Sequence, residues 1–267
     1  MATATAYDKW IRCLKPRPRA SLRLFCFPHS GGSATAFSGW EQVLPMDIEV
    51  CAIQMPGREN RMREAPFTHM EPLVAALESA LAPHITSIPY AFFGHSLGAV
   101  IGFELARQLR RSGYPIPAQL FVSSHRAPQL ANHYPPIHHL SNAAFIEELR
   151  LYKGTPESVL QNTELMDLVL PYIRADFTIF ETYTYTQDLP LDCPITAFGG
   201  EKDHKVQRTE LAQWRMQTSS AFALHMFDGD HFFLQSNKTA FLQTVMQDLI
   251  VLLNQLHGRN ISAPKRI

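Results

Sequence analysis

Short apolar runs alternate along the chain with segments whose apolar residues recur every three or four positions. The runs are Leu22–Phe27, Ile48–Ile53, Tyr90–Gly94, Ala118–Ser123, Ile195–Gly199 and Phe222–Phe227. They are mostly continuous rather than strictly alternating, as expected of parallel strands covered on both faces. Between them, Met70, Leu73, Val74, Leu77 and Leu81 form one helical stripe. Leu97, Ile101, Leu105 and Leu109 form a second, and Phe241, Val245, Leu249 and Leu253 a third. Strands alternating with amphipathic helices predict an α/β fold: a mostly parallel sheet with helices on both faces and right-handed crossovers. The sequence contains no internal repeat and no low-complexity segment.

The rhythm breaks once. From about Leu140 to Tyr185 there are helical patterns but no strand. Phe145, Ile146 and Leu149 predict one helix, Leu165, Leu168 and Val169 a second, and Ile173, Phe177 and Phe180 a third. Gly154-Thr155-Pro156 separates the first two. A helical insertion late in an α/β sheet commonly covers the site. The expectation is one domain, 1–267, with a helical lid at about 140–185 and a loose tail at about 258–267.

The sharpest chemical signal is Gly94-His95-Ser96-Leu97-Gly98, a G-x-S-x-G motif. A strand precedes it and a helix follows, the context in which such a serine is held on a sharp, exposed turn. Ser96 is the expected nucleophile. A serine hydroxyl needs a base, and hydrolases with this turn place serine, acid and histidine in that chain order. His231, in Gly229-Asp230-His231, follows the last strand and precedes the last helix. His225 lies inside a strand, His257 late in the last helix, and His204 too early. His231 is therefore the expected base. The acid follows by elimination. Asp203 lies just past the strand Ile195–Gly199, where it can reach the far ring nitrogen of His231. Glu201 is the nearest rival, Asp228 and Asp230 are too close in sequence to fold back, and Ser123 to Pro128 offers no carboxylate. Two backbone N–H groups are expected to form an oxyanion hole: Leu97, at the helix start, and Ser30, in the turn Phe27-Pro28-His29-Ser30-Gly31-Gly32.

Composition narrows the classes. Of 267 residues, 46% are hydrophobic and 18% charged, enough to build a large core. Twenty-four basic residues balance 24 acidic ones, which argues against a binder of nucleic acid. The four cysteines form no CxxC pair, and Cys26 and Cys51 fall in strand-like runs where buried thiols are expected. Nothing calls for a metal or redox cofactor. His138-His139 is read as loop, because adjacent side chains point apart and no HExxH is present. Met1 to Trp10 has no signal-like apolar segment and no run is long enough to span a membrane, so the expected location is cytoplasmic. The basic stretch Lys9 to Arg19 reads as a solvated leader. Arg58 has no role that spacing alone supplies.

Five blocks together resemble the type II thioesterases, the stand-alone editing enzymes of nonribosomal peptide and polyketide assembly lines. They are Phe27-Pro-His-Ser-Gly-Gly32, Met55-Pro-Gly-Arg-Glu59, Gly94-His-Ser-Leu-Gly98, Gly199-Gly-Glu-Lys-Asp203 and Gly229-Asp-His-Phe-Phe233. The resemblance runs from about Leu22 to Leu253. It implies an α/β-hydrolase fold with a helical lid, and hydrolysis of stalled acyl groups from the phosphopantetheine arm of carrier domains. It implies acyl or peptidyl carrier domains as partners, a monomeric enzyme, and a pantetheine that belongs to the partner. One departure is Ser30, where many relatives have alanine; a backbone donor is unaffected. Competing readings are an acyl-carrier or acyl-coenzyme A thioesterase, a small-ester hydrolase, or an inactive binding module of the same fold.

Overall fold

The computed structural model describes residues 9–262. Seven strands form one sheet: β1 (Ile11–Arg12), β2 (Leu22–Phe27), β3 (Ile48–Ile53), β4 (Tyr90–His95), β5 (Gln119–Ser123), β6 (Ile195–Gly200) and β7 (Phe222–Phe227). Their spatial order is β1-β3-β2-β4-β5-β6-β7, with every pairing parallel except β1 with β3. The helices are α1 (Trp40–Val43), α2 (Met70–Leu81), α3 (Leu97–Arg111), α4 (Asn142–Tyr152), α5 (Glu157–Leu160), α6 (Thr163–Thr182), α7 (Arg208–Ala212), α8 (Phe233–Ser236) and α9 (Lys238–Ser262). None is long and apolar enough to cross a membrane.

The continuous apolar runs are explained by two cores, one on each face of the sheet. Phe25, Phe27, Phe92, Leu120 and Val122 point to one face and pack under α2 and α3. Their neighbours Leu24, Cys26, Phe93 and Phe121 point to the other, against Trp40 and the α9 stripe Phe241, Val245 and Leu249. Successive residues of a strand face opposite ways, so a strand buried on both sides cannot alternate in polarity.

Three features differ from the sequence reading. The leader is only partly solvated: Lys9, Arg12, Lys15 and Arg19 are exposed, but β1 pairs with β3, and Arg17 is buried and donates to the carbonyls of Glu41, Leu44, Pro45 and Ile48. The second and third predicted insertion helices are one continuous helix, α6, which runs through Pro171. Leu165 and Leu168 are exposed, and the buried stripe is Met166, Leu170, Ile173 and Phe177. That stripe joins Phe145, Leu149 and Leu160 in a third core belonging to the insertion itself. Finally, α9 continues to Ser262, into the stretch expected to be a loose tail; 263–267 lie outside the described residues.

Candidate active site

Ser96 sits between β4 and α3 with φ 54° and ψ −119°. A non-glycine residue held at such angles stores about 1–3 kcal/mol, which the surroundings must offset. Here Ser96 N–H donates to Ser123 O at 2.8 Å, tying the turn to the end of β5. The two motif glycines make the turn possible. A Cβ at Gly94 would lie 2.1 Å from Gly98 O, and one at Gly98 would lie 2.1 Å from Phe27 O. Only hydrogen fits at either position. The second contact presses the end of β2, and the turn that carries Ser30, against the start of α3.

His231 follows β7 on a loop that crosses the end of β6. Gly200 admits that loop, since a Cβ there would be 2.3 Å from Asp230 O. The His231 ring is thereby placed between Ser96 and Asp203. Its Nε2 lies 3.0 Å from Ser96 Oγ and its Nδ1 2.8 Å from Asp203 Oδ2. An ionised carboxylate can only accept, so Nδ1 carries the proton and Nε2 accepts from the serine hydroxyl. Asp203 is buried and held in place: its Oδ1 accepts from Lys205 N–H at 2.8 Å and Val206 N–H at 3.2 Å. Ser124 Oγ–H donates to His231 O at 3.0 Å. The rival carboxylates face elsewhere. Asp228 pairs with Lys202, Asp230 accepts from Phe232 N–H, and Glu201 is exposed.

Ser96 opens into a cavity of about 700 Å³, open mouth included, between the sheet and the inserted helices. Ser30 lines it beside Ser96. Leu97 heads α3, so its N–H has no intrahelical partner. Three further histidines surround the serine. Burial holds His95 well below the ordinary histidine value and pulls His125 down to about 3. Burial, helped by His231 and Arg58, pulls His29 down to about 4, although His29 lines the cavity. All three are neutral near pH 7. His95 Nδ1 meets Ser123 Oγ at 3.0 Å, while Phe232 packs edge-on against His29 and His95.

The structure assigns Arg58 a partner that sequence did not reveal. Its guanidinium grips Asp176 of α6 at 2.7 and 2.8 Å, with both side chains buried. Asp176 Oδ2 also accepts from Gly31 N–H at 2.7 Å, and Arg58 donates to Gly32 O at 2.8 Å. The loop carrying Ser30 is thus bolted to the inserted helix. The available signal was a carboxylate on the apolar stripe Ile173, Phe177, Phe180 of a helix, which requires a buried partner. His138, read as loop, pairs with Glu181 at 2.6 Å. Among the described residues, one cluster has metal-ligand spacing, Cys13, Glu49 and Cys51. It lies outside the Ser96 cavity, and Glu49 is already engaged by Arg23 and by Arg17 N–H.

Comparisons with known proteins agree with this geometry. The family model described as the thioesterase domain matches residues 22–249. Over 253 residues the chain is 44% identical to the gramicidin S biosynthesis protein GrsT of Aneurinibacillus migulanus, covering 95% of this chain and 98% of that one. It is 37% identical to the thioesterase PikA5 of Streptomyces venezuelae, covering 96% and 90%. Among solved structures, the type II thioesterase BorB of the borrelidin biosynthetic cluster superposes with a TM-score of 0.83 at 36% identity, covering 91% of this chain and 98% of that one.

Proposed function

The chain belongs to the thioesterase domain family, and from that premise we propose that it is a stand-alone serine thioesterase that clears stalled acyl groups from the phosphopantetheine arm of carrier domains in nonribosomal peptide or polyketide synthesis. The observation that carries the mechanism is the unbroken hydrogen-bond chain Asp203–His231–Ser96, at 2.8 and 3.0 Å. Ser96 attacks the thioester carbonyl while His231 Nε2 takes its proton. Asp203 orients the ring and stabilises its charged form. The backbone N–H groups of Ser30 and Leu97 receive the negative oxygen of the tetrahedral intermediate. Collapse expels the pantetheine thiolate, which takes the proton back from His231. Water then attacks the acyl-serine by the same route, and the free acid leaves.

In this reading the chain acts as one domain, the helices within 140–185 serve as a lid, and the carrier domain supplies the pantetheine. The chain itself needs no metal or redox cofactor, and it works as a cytoplasmic monomer. The roof of α4 and α6 over Ser96 supports the lid role: Leu149, Tyr152, Ile173, Phe177 and Phe180 all line the cavity. A covered serine is reached by a long thin arm, and contact with a carrier surface can help drive opening. The test is kcat/KM for acetyl and longer acyl groups on a carrier domain and on free coenzyme A. The carrier-bound forms are expected to react faster. Equal values would favour a general small thioesterase.

A further inference from the structure

Five arginines are nearly fully buried among the described residues: Arg17, Arg58, Arg61, Arg107 and Arg126. Four of them have partners that offset the loss of water. Arg58 pairs with Asp176, Arg61 with Glu64 and Arg107 with Glu104, and Arg17 donates to four carbonyls. Arg126 is the exception. It is only 7% exposed, and among the described residues its guanidinium meets no carboxylate and donates no hydrogen bond. It lies over the face of Phe180, 5.7 Å from the ring centre. Burial presses its pKa down, and Glu210 attracts it only through space.

Arg126 lines the Ser96 cavity, and so does a second cation, Lys205. Lys205 Nζ rests against the rings of Tyr134 and Tyr152, at 4.4 and 4.5 Å, and forms no salt bridge among the described residues. Leu149, Phe177 and Val206 are among the apolar residues that line the same cavity, together with hydroxyls such as Ser124 and Thr155. Two cations in a partly enclosed cavity attract an anion more strongly than they would in open water. None of the Arg126 guanidinium nitrogens is sealed from solvent, so an anion that enters the cavity can meet a cation that has no counter-charge beside it.

We propose that Arg126 and Lys205 form an anion-binding subsite inside the Ser96 cavity, which receives a negatively charged oxygen group carried by the thioester substrate. The group is either a carboxylate at the far end of the acyl chain or the phosphate at the far end of the thiol arm. Arg126 presents a planar fork suited to both. The inference rests on the thioesterase reading and adds to it which substrates are held best.

Three thioesters separate the possibilities. Acetyl-N-acetylcysteamine carries no anion, succinyl-N-acetylcysteamine a carboxylate only, and acetyl-phosphopantetheine a phosphate only. Each is assayed with the full chain as wild type, Arg126→Gln and Arg126→Lys, with thermal melts to confirm folding. For one anionic substrate, Arg126→Gln is expected to lower kcat/KM at least tenfold more than for the neutral one, mainly through KM. Arg126→Lys should recover part of that loss. The substrate that suffers identifies the anion. Lys205→Gln, at a less buried position, should act in the same direction to a smaller extent and covers the case in which Arg126→Gln fails to fold. Equal losses on all three substrates, in whichever variants fold, would overturn the subsite and make Arg126 a packing residue. Wild-type inactivity on all three would instead sink the thioesterase reading, and the subsite with it.

Discussion

Asp176→Asn tests how the inserted helix α6 and the Ser30 loop are held together. Asparagine keeps the size and shape of the side chain but removes its charge and turns one acceptor into a donor. Arg58 then stays buried, 3% exposed at its side chain, without a counter-ion. Removing one partner of a buried pair costs about 3–5 kcal/mol. The guanidinium keeps Gly32 O at 2.8 Å and the Tyr172 ring at 4.7 Å, which favours the lower end, about 3 kcal/mol. For a chain near this size each kcal/mol moves Tm by about 2–4 °C, so the variant should melt about 6–12 °C lower. Activity should fall as well. Gly31 N–H donates to the same carboxylate, and the loop that it anchors carries Ser30. Displacing an aligned donor by about 1 Å can cost on the order of 100-fold. Chemical denaturation followed by circular dichroism, together with kcat on a small thioester, provides both readouts. Arg58→Met combined with Asp176→Asn removes both charges, and should be more stable than Asp176→Asn alone. A loss below about 1 kcal/mol with unchanged kcat would refute the anchoring role.

Ser96→Ala should lower turnover by on the order of 10⁴-fold or more while leaving the melting curve in place, and should abolish labelling by a serine-directed fluorophosphonate. Labelling that survives would put the nucleophile elsewhere. Asp203→Asn should reduce kcat far more than Asp230→Asn, because Asp230 is 44% exposed at its side chain and serves Phe232 N–H and, at 3.9 Å, Lys153; the opposite order, with both proteins folded, reverses the assignment. Stability should decline on the acid side. Burial pulls His29 down to about 4 and His125 down to about 3 in the folded chain, against 6.5 as the ordinary value. Below pH 6.5 the unfolded chain therefore binds protons that the folded one excludes, so stability is fully present above 6.5 and is lost as pH falls from 6.5 towards about 4 for His29 and about 3 for His125. Denaturation midpoints at pH 7.5, 6 and 5 should fall in that order, and a flat profile would contradict the burial of these rings.

Six strands and three long helices were legible because their cause is local. A continuous apolar run has no stable place other than a strand covered on both faces, and a stripe at helical spacing must face a core. All six predicted strands are present, within a residue at their ends, and the stripe Phe241, Val245, Leu249 and Leu253 is buried throughout. Ser96, Asp203 and His231 could be selected from sequence because each lies just past the carboxyl end of a strand. A parallel sheet brings those ends to one edge, however far apart they are along the chain. What remained hidden depends on partners that arrive from elsewhere. The strand β1 exists only because β3 lies beside it. Arg17 is buried only because four carbonyls converge on it. Arg58 and Asp176 stand 118 residues apart, and nothing near either predicts the other. The apolar pattern determined which segments are covered. Which charges are covered with them, and whether a counter-charge waits there as at Asp176 or is missing as at Arg126, was decided by tertiary packing, because the cost of burying a charge depends on atoms that only the folded chain brings within reach.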